Sequence, residues 1–293
     1  ARNALLLNSA GEGIFGVDRD GHCIFINPMA LELLGLTEDE AIERPVDELF
    51  EHRDAEDRRY GPADCPILLT LGDGVTRQLE DTLIRRDGSR RAVRMTVTEI
   101  REGRQRIGVE VVFQDISARR AMERELERLA TTDPLTGVTN RRQFIERCEQ
   151  ELVRHKRFEH PLSLLMIDVD HFKRINDSHG HAIGDAVLIH LCALAAEQLR
   201  RTDVFARLGG EEFAFLLTGS DLDGAMEFAA RFCRQVESRP ALTDAGKIAL
   251  TISIGASQAS RRDRSADDLL RRADGALYRA KQGGRNRVEA GAL

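Results

Sequence analysis

No apolar run in the 293 residues approaches the roughly 20 that a membrane-spanning helix needs. No basic-then-apolar leader opens the chain. The chain begins at Ala1 rather than Met, as a piece cut from a longer protein would, so a membrane or sensor segment upstream stays open. The five cysteines (Cys23, Cys65, Cys148, Cys192, Cys233) include no C-x-x-C pair and are odd in number, which points to neither a disulfide framework nor a zinc knuckle. Free, buried thiols in a reducing cytoplasm are expected. Cys65-Pro66, in a loop-like stretch with His52 upstream, leaves haem ligation as an alternative for those two residues. There is no basic excess either. The net charge is −6, which argues against a general nucleic-acid binder. No internal repeat or low-complexity segment occurs.

The chain has the composition of an ordinary globular protein, 42% hydrophobic and 31% charged, and the length of two domains. Its charge is uneven. Residues 1–118 hold 15 basic against 23 acidic residues, a balance of −8; the remainder holds 28 against 26, or +2. The second half is the better host for a polyphosphate.

The first hundred residues alternate in the manner of strands. Ile14 to Val17 and Cys23 to Ile26 flank Asp20-Gly21, a hairpin signal. A loop-rich helical stretch opens at Asn27-Pro28, with Leu31, Leu33 and Leu34 as apolar points. Strands are predicted at 79–84, 93–97 and 109–113, the last two with one buried face. Two strands, helices and a three-strand meander make a sheet with helices on one side. This order resembles a PAS domain over residues 1–117, including Asp115-Ile116-Ser117, similar to the D-I-T that often ends that fold. PAS domains sense ligands or light, or dimerise. The N-C-R-F-L-Q motif of flavin-binding members is missing, and the ligand is unknown.

Residues 118–132 form a charged linker, with a helix predicted over 116–131. Met122, Leu126 and Leu129 are spaced four and three apart. Two readings stand: a solvated helix with one packed edge, or a parallel two-chain coiled linker. Pro134 ends the helix.

From Asp133 to residue 293 helices and strands alternate. Helices are predicted at 141–158, 182–200, 223–236 and 266–282, and strands at 162–169, 204–208, 213–217, 248–255 and 287–289. The near-continuous apolar run 162–169 is expected to be a central strand. Two carboxylate clusters fall at strand ends, Asp168-Val169-Asp170 and Glu211-Glu212 in a turn made tight by Gly209 and Gly210. Carboxylates converging there suit a hard cation such as Mg²⁺.

The motifs in this half resemble the GGDEF family of diguanylate cyclases. The turn reads G-G-E-E-F at 209–213. Residues 168–177 match D-x-D-x-F-K-x-I-N-D, and 180–185 are similar to G-H-x-x-G-D. Residues 133–142 resemble D-x-L-T-G-L-x-N-R-R, and 280–286 match A-K-x-x-G-R-N. The resemblance implies an α/β (α+β) chain whose second domain is a palm-like, ferredoxin-type nucleotide-cyclase fold. It implies Mg²⁺ (or Mn²⁺) on Asp168, the Val169 carbonyl and Glu211. Glu212 supports metal binding or deprotonation, or simply holds the turn. Asn176 and Asp185 would bind guanine, Asp185 accepting from the N1–H and N2–H₂ edge that adenine lacks. Leu135 would line the base pocket. Lys281 and Arg285 would pair with the terminal phosphates, helped by backbone amides at Phe172 and Lys173, while Gly209 and Gly210 let the nucleotide approach. Arg200 and Asp203 match an R-x-x-D product site, with Arg231 completing it. The activity implied is condensation of two GTP to cyclic di-GMP by a homodimer formed through the PAS domain and linker helix. A catalytically silent nucleotide receptor and a PAS-driven dimerisation scaffold are the competing readings.

Overall fold

The computed structural model describes residues 11–54, 56–61 and 63–291. Residues 1–10, 292 and 293, which belong to the two expected domains, lie outside the described residues. The chain divides into two compact units, Ala1–Glu125 and Leu126–Leu293.

In the first unit, β1 (Gly13–Asp18) and β2 (Cys23–Ile26) form the expected hairpin. Three short helices follow: α1 (Pro28–Leu34), α2 (Glu38–Ala41) and α3 (Val46–Leu49). Asn27 caps α1 by accepting from the Ala30 amide, and Gly35 ends it in the left-handed conformation. Then come β3 (Glu51–Arg53), α4 (Pro66–Asp73) and the meander β4 (Arg77–Ile84), β5 (Arg90–Glu102) and β6 (Gln105–Asp115). The sheet order is β2-β1-β6-β5-β4-β3. Period-two side chains of β5 and β6, among them Val93, Met95, Val97, Val109, Val111 and Phe113, pack with Phe15, Leu34, Leu49 and Ile67 into one core. The sequence reading passed over β3, a short polar edge strand without hydrophobic alternation. Asp115 accepts from the Ser117 amide at 2.7 Å and Ser117 Oγ from the Ala92 amide at 3.0 Å. These bonds tie the end of the sheet to helix α5 (Ser117–Thr131).

The second unit begins within α5. Met122, Leu126 and Leu129 are 67%, 61% and 51% exposed, so among the described residues their stripe lies outside the hydrophobic cores. The elements that follow are β7 (Thr139–Asn140), α6 (Arg141–Phe158), β8 (Leu162–Val169), α7 (Phe172–His179), α8 (His181–Ala196), β9 (Val204–Gly209) and β10 (Glu212–Thr218). After them come α9 (Leu222–Ser238), the hairpin β11 (Ala241–Thr243)–β12 (Gly246–Ile248), β13 (Ile252–Gln258), α10 (Ala266–Gln282) and β14 (Val288–Ala290). The main sheet runs β14-β13-β8-β10-β9-β7, so β8 is central, and all its residues are buried. Leu165, Ile167 and Val169 join Phe205, Phe213, Phe215 and Phe232 on one face. Leu164 and Met166 join Phe144, Leu216 and Leu277 on the other.

Two expected elements differ. The strand predicted over 248–255 is two pieces: Gly246–Ile248 returns on Ala241–Thr243, and β13 starts only at Ile252. The helix predicted to reach residue 200 stops at Ala196, where the Gln198 amide bonds back to the Ala195 carbonyl; a second turn, closed by the Asp203 amide on the Arg200 carbonyl, leads into β9. No helix among the described residues is long and apolar enough to cross a membrane.

Candidate active site

The site grows from the carboxyl end of β8. Antiparallel register sets Asp168 directly opposite Glu212 on β10 and Ser253 on β13. The Val169 amide donates to the Glu211 carbonyl at 3.3 Å, fixing the signature turn against the strand end. Gly209 and Gly210 have φ of 155° and 49°, values that residues with a Cβ rarely adopt, which is why this turn needs glycine.

Asp168 is only 7% exposed, and its Oδ2 lies 2.7 Å from Nζ of Lys281 at the end of α10. Burial lifts the Asp168 carboxyl above its ordinary value; the Lys281 contact opposes this, and the charges of Glu211 and Glu212 add to it. The Asp168 carboxylate thus meets the Lys281 ammonium directly and feels the charges of Glu211 and Glu212. Among the described residues no three acidic, histidine or cysteine side chains converge as a closed metal cage. The donor set expected from the sequence is smaller: two carboxylates, Asp168 and Glu211, with the adjacent Val169 carbonyl. That set fits Mg²⁺, which binds through one or two carboxylates and leaves its remaining positions to water and phosphate oxygens.

Beyond β8 the chain turns at His171, with φ of 55°, into α7. The amides of Phe172 and Lys173 fall in the first turn of this helix, where no intrahelical acceptor exists. Phe172 is buried, whereas the Lys173 side chain is exposed. Asn176 in α7 faces Gly184 in α8: a Cβ on Gly184 would stand 1.9 Å from Asn176 Oδ1. Glycine there leaves the Asn176 side chain in its place; any larger residue would push it aside. The same Oδ1 is buried without a hydrogen-bond partner. Asp185 follows Gly184 and is exposed. Leu135 packs, half-buried, against the core of this face.

Two structural clips escaped the sequence reading. Asp170, 5% exposed, accepts from Thr251 Oγ1 (2.8 Å), Ser253 Oγ (2.7 Å) and the Asn286 amide (3.0 Å). It holds the segment after α10, where Arg285 and Asn286 have φ of 64° and 46°; the Arg285 side chain itself is exposed. Arg207 on β9 donates through Nε to the Gly210 carbonyl (2.9 Å) and through Nη1 to Asp133 Oδ1 (3.1 Å). Burial works to raise the Asp133 carboxyl, but hydrogen bonds from Thr136 and Arg207 hold it below the usual carboxylate range. Asn140 Nδ2 donates to the Ala130 carbonyl at 2.9 Å while its Oδ1 caps α6. The end of α5 is thus bonded to the elements that carry the turn.

The R-x-x-D residues form a tight turn, the Arg200 amide donating to Asp203 Oδ2 at 3.2 Å. Arg231 on α9 lies over the Phe228 ring and donates to Gln198, two residues before Arg200. This brings the Arg231 chain position to the edge of that turn.

The model of the diguanylate cyclase GGDEF domain matches residues 130–287, and that of the PAS fold matches residues 1–116. Diguanylate cyclase DgcM of Escherichia coli K12 is 33% identical over 97% of this chain and 67% of its own length. Diguanylate cyclase DgcP of Pseudomonas aeruginosa is 39% identical over 60% of this chain, but only 26% of its own length is matched. Among solved structures, the coiled coil and GGDEF domain of DgcB from Caulobacter crescentus, in complex with c-di-GMP, superposes with a TM-score of 0.56. It is 29% identical and covers 60% of this chain and 93% of its own. The active GGEEF domain of a Vibrio cholerae diguanylate cyclase is 33% identical, covers 53% of this chain and 97% of its own, and gives a TM-score of 0.50.

Proposed function

The chain belongs to the GGDEF family of diguanylate cyclases, and we propose that it condenses two GTP molecules into cyclic di-GMP, releasing two pyrophosphates. The observation that carries this reading is the convergence of Asp168, the Glu211–Glu212 turn and Lys281 at the end of the central strand. Asp168, the Val169 carbonyl and Glu211 would hold Mg²⁺ or Mn²⁺, with Glu212 beside them. A divalent cation held there would lower the pKa of the attacking hydroxyl and offset charge developing on the phosphate oxygens. Lys281 neutralises Asp168 before nucleotide arrives and turns to the terminal phosphates afterwards; Arg285 and the Phe172 and Lys173 amides take the remaining phosphate oxygens. Asn176 and Asp185 bind the guanine edge, Leu135 packs on the base, and Gly209 and Gly210 leave room for the nucleotide.

Each domain holds one GTP. The 3′-hydroxyl of one attacks the α-phosphorus of the other in line, pyrophosphate leaves, and the second bond closes the ring. Most of the acceleration is positioning, for which effective molarities reach roughly 10⁵–10⁸ M. Two domains must therefore meet, and the exposed Met122, Leu126 and Leu129 stripe on α5 supplies a seam for a second copy. Initial rates measured against protein concentration test this: the rate per chain rises with concentration until dimer forms. Leu126→Glu with Leu129→Glu lowers the rate by about tenfold at micromolar protein, and concentrating the variant restores it. A rate per chain independent of concentration over the whole range, with the chain monomeric by light scattering, excludes the two-chain mechanism.

Signals from the PAS unit regulate the cyclase, and cyclic di-GMP inhibits it at Arg200, Asp203 and Arg231. A bidentate arginine–guanine contact contributes about 1–3 kcal/mol. Arg200→Ala accordingly raises the cyclic di-GMP concentration for half-inhibition by roughly tenfold or more, with the initial rate unchanged. Unaltered inhibition in this variant removes the product site from Arg200.

A further inference from the structure

The PAS unit contains a cluster that the cyclase does not use. A cavity of about 400 Å³ is lined by Phe50, His52, Tyr60, Cys65, Ile67 and Leu68, the size class that encloses a small organic molecule. At its wall Cys65 Sγ lies 3.4 Å from His52 Nε2, and His52 Nδ1 lies 3.4 Å from Asp81 Oδ2. Asp81 is 2% exposed and also accepts from the Tyr60 hydroxyl at 3.2 Å. A thiol, an imidazole and a buried carboxylate thus stand in line, the order in which a base is oriented to activate a nucleophile. Cys65 is the N-cap of α4, with Pro66 at the first helical position. A helix N-terminus favours a thiolate there.

The electrostatics agree with the geometry. Burial works against the charged His52 ring, but the hydrogen bonds to Asp81 and Cys65 and their charges raise it to about 9. Burial works to raise the Cys65 thiol; the His52 hydrogen bond, the Leu68 and Ile67 backbone amides and the His52 charge bring it below its ordinary value. Cys23, Cys148, Cys192 and Cys233 are pushed up by burial, to between about 11 and about 12. The other charged groups facing the cavity are Asp47 on α3, Glu51 on β3 and Arg59 in the loop after β3.

We propose that Cys65, with His52 and Asp81, forms a covalent capture site for a soft carbon electrophile of the α,β-unsaturated carbonyl class that enters the PAS cavity. The apolar wall of Phe50, Ile67 and Leu68 suits the carbon skeleton of such a molecule. The Cys65 thiolate attacks the β-carbon and an S–C bond forms. The C=C pair moves to the α-carbon, which takes the proton of the His52 imidazolium. A neutral thioether and a neutral imidazole result. Asp81 and Tyr60 orient the ring throughout. The step needs no oxidant, and the site is independent of the cyclase reading.

N-ethylmaleimide, itself an α,β-unsaturated dicarbonyl, is the probe, applied to the whole chain with peptide mass mapping at early times. Cys65 is expected to take the label at least about tenfold faster than any of the four other cysteines. Its rate climbs with pH between 6 and 8 less steeply than that of an ordinary thiol, because the His52 contact and the α4 N-terminus hold the Cys65 thiol below its ordinary value. In His52→Gln the rate returns to rising about tenfold per pH unit, as for an ordinary thiol. The wild-type profile decides the matter even where the variant fails to fold. Labelling of Cys65 no faster than the other four, or a wild-type rate that climbs about tenfold per pH unit through this range, overturns the proposal.

Discussion

Glu211→Gln is expected to reduce cyclic di-GMP formation at saturating GTP and Mg²⁺ by at least about 100-fold while leaving the fold intact. The magnitude follows from the metal-donor role proposed for Glu211, since losing even an outer-shell partner of a metal ligand costs about 10–100-fold. The fold is spared because Glu211 sits at a turn whose backbone bonds do not use the side chain: the Val169 amide donates to the Glu211 carbonyl, and Arg207 to the Gly210 carbonyl. The substitution also removes one of the negative charges that lift the Asp168 carboxyl. Steady-state turnover with far-UV circular dichroism checks both halves. Full turnover in this variant removes Glu211 from the metal site.

Asp170→Ala is expected to be the most destabilising of the changes considered in the catalytic unit. Three donors, Thr251 Oγ1, Ser253 Oγ and the Asn286 amide, lose their acceptor. Ser253 is fully buried, and leaving a buried donor unsatisfied costs about 1–3 kcal/mol. Three such losses amount to at least about 3 kcal/mol, a fall of roughly 10 °C in the melting temperature of this unit. The segment that Asp170 clips includes Arg285 and follows Lys281, so the KM for GTP rises as well. Thermal unfolding and GTP titration measure the two effects. A variant that melts with the wild type shows that the clip carries no stability.

The contrast between Asp170 and Asp168 marks where sequence reasoning stops. Both stand in one D-x-D motif, and the motif identifies the acids without saying that one faces Lys281 and the other the Asn286 amide. The Asp170 partners lie 81, 83 and 116 positions away. Arg207 is similarly invisible because its carboxylate partner, Asp133, is 74 positions upstream. Local periodicity served well where it reflects burial: β8 reads as a central strand because both of its faces pack against core. It failed where an edge or a tight turn decides. Ile248 reads as the beginning of a strand that runs to Gly255, yet Gly246–Ile248 pairs with Ala241–Thr243 and β13 starts at Ile252. Gly184 was legible as a motif letter only; its physical reason, the Asn176 side chain at the position a Cβ would take, needs the packed helices. The haem alternative for His52 and Cys65 joined two residues that are neighbours in the fold, with Asp81 on the other side of the His52 ring.

Product identity decides whether this chain is a diguanylate cyclase. The purified chain, at a concentration where the rate per chain has reached its plateau, is incubated with GTP and Mg²⁺, and the products are resolved by chromatography and mass. Cyclic di-GMP and pyrophosphate in a ratio of one to two are predicted, with ATP giving no cyclic product. GTP recovered unchanged, or hydrolysed without any cyclic dinucleotide, contradicts the account.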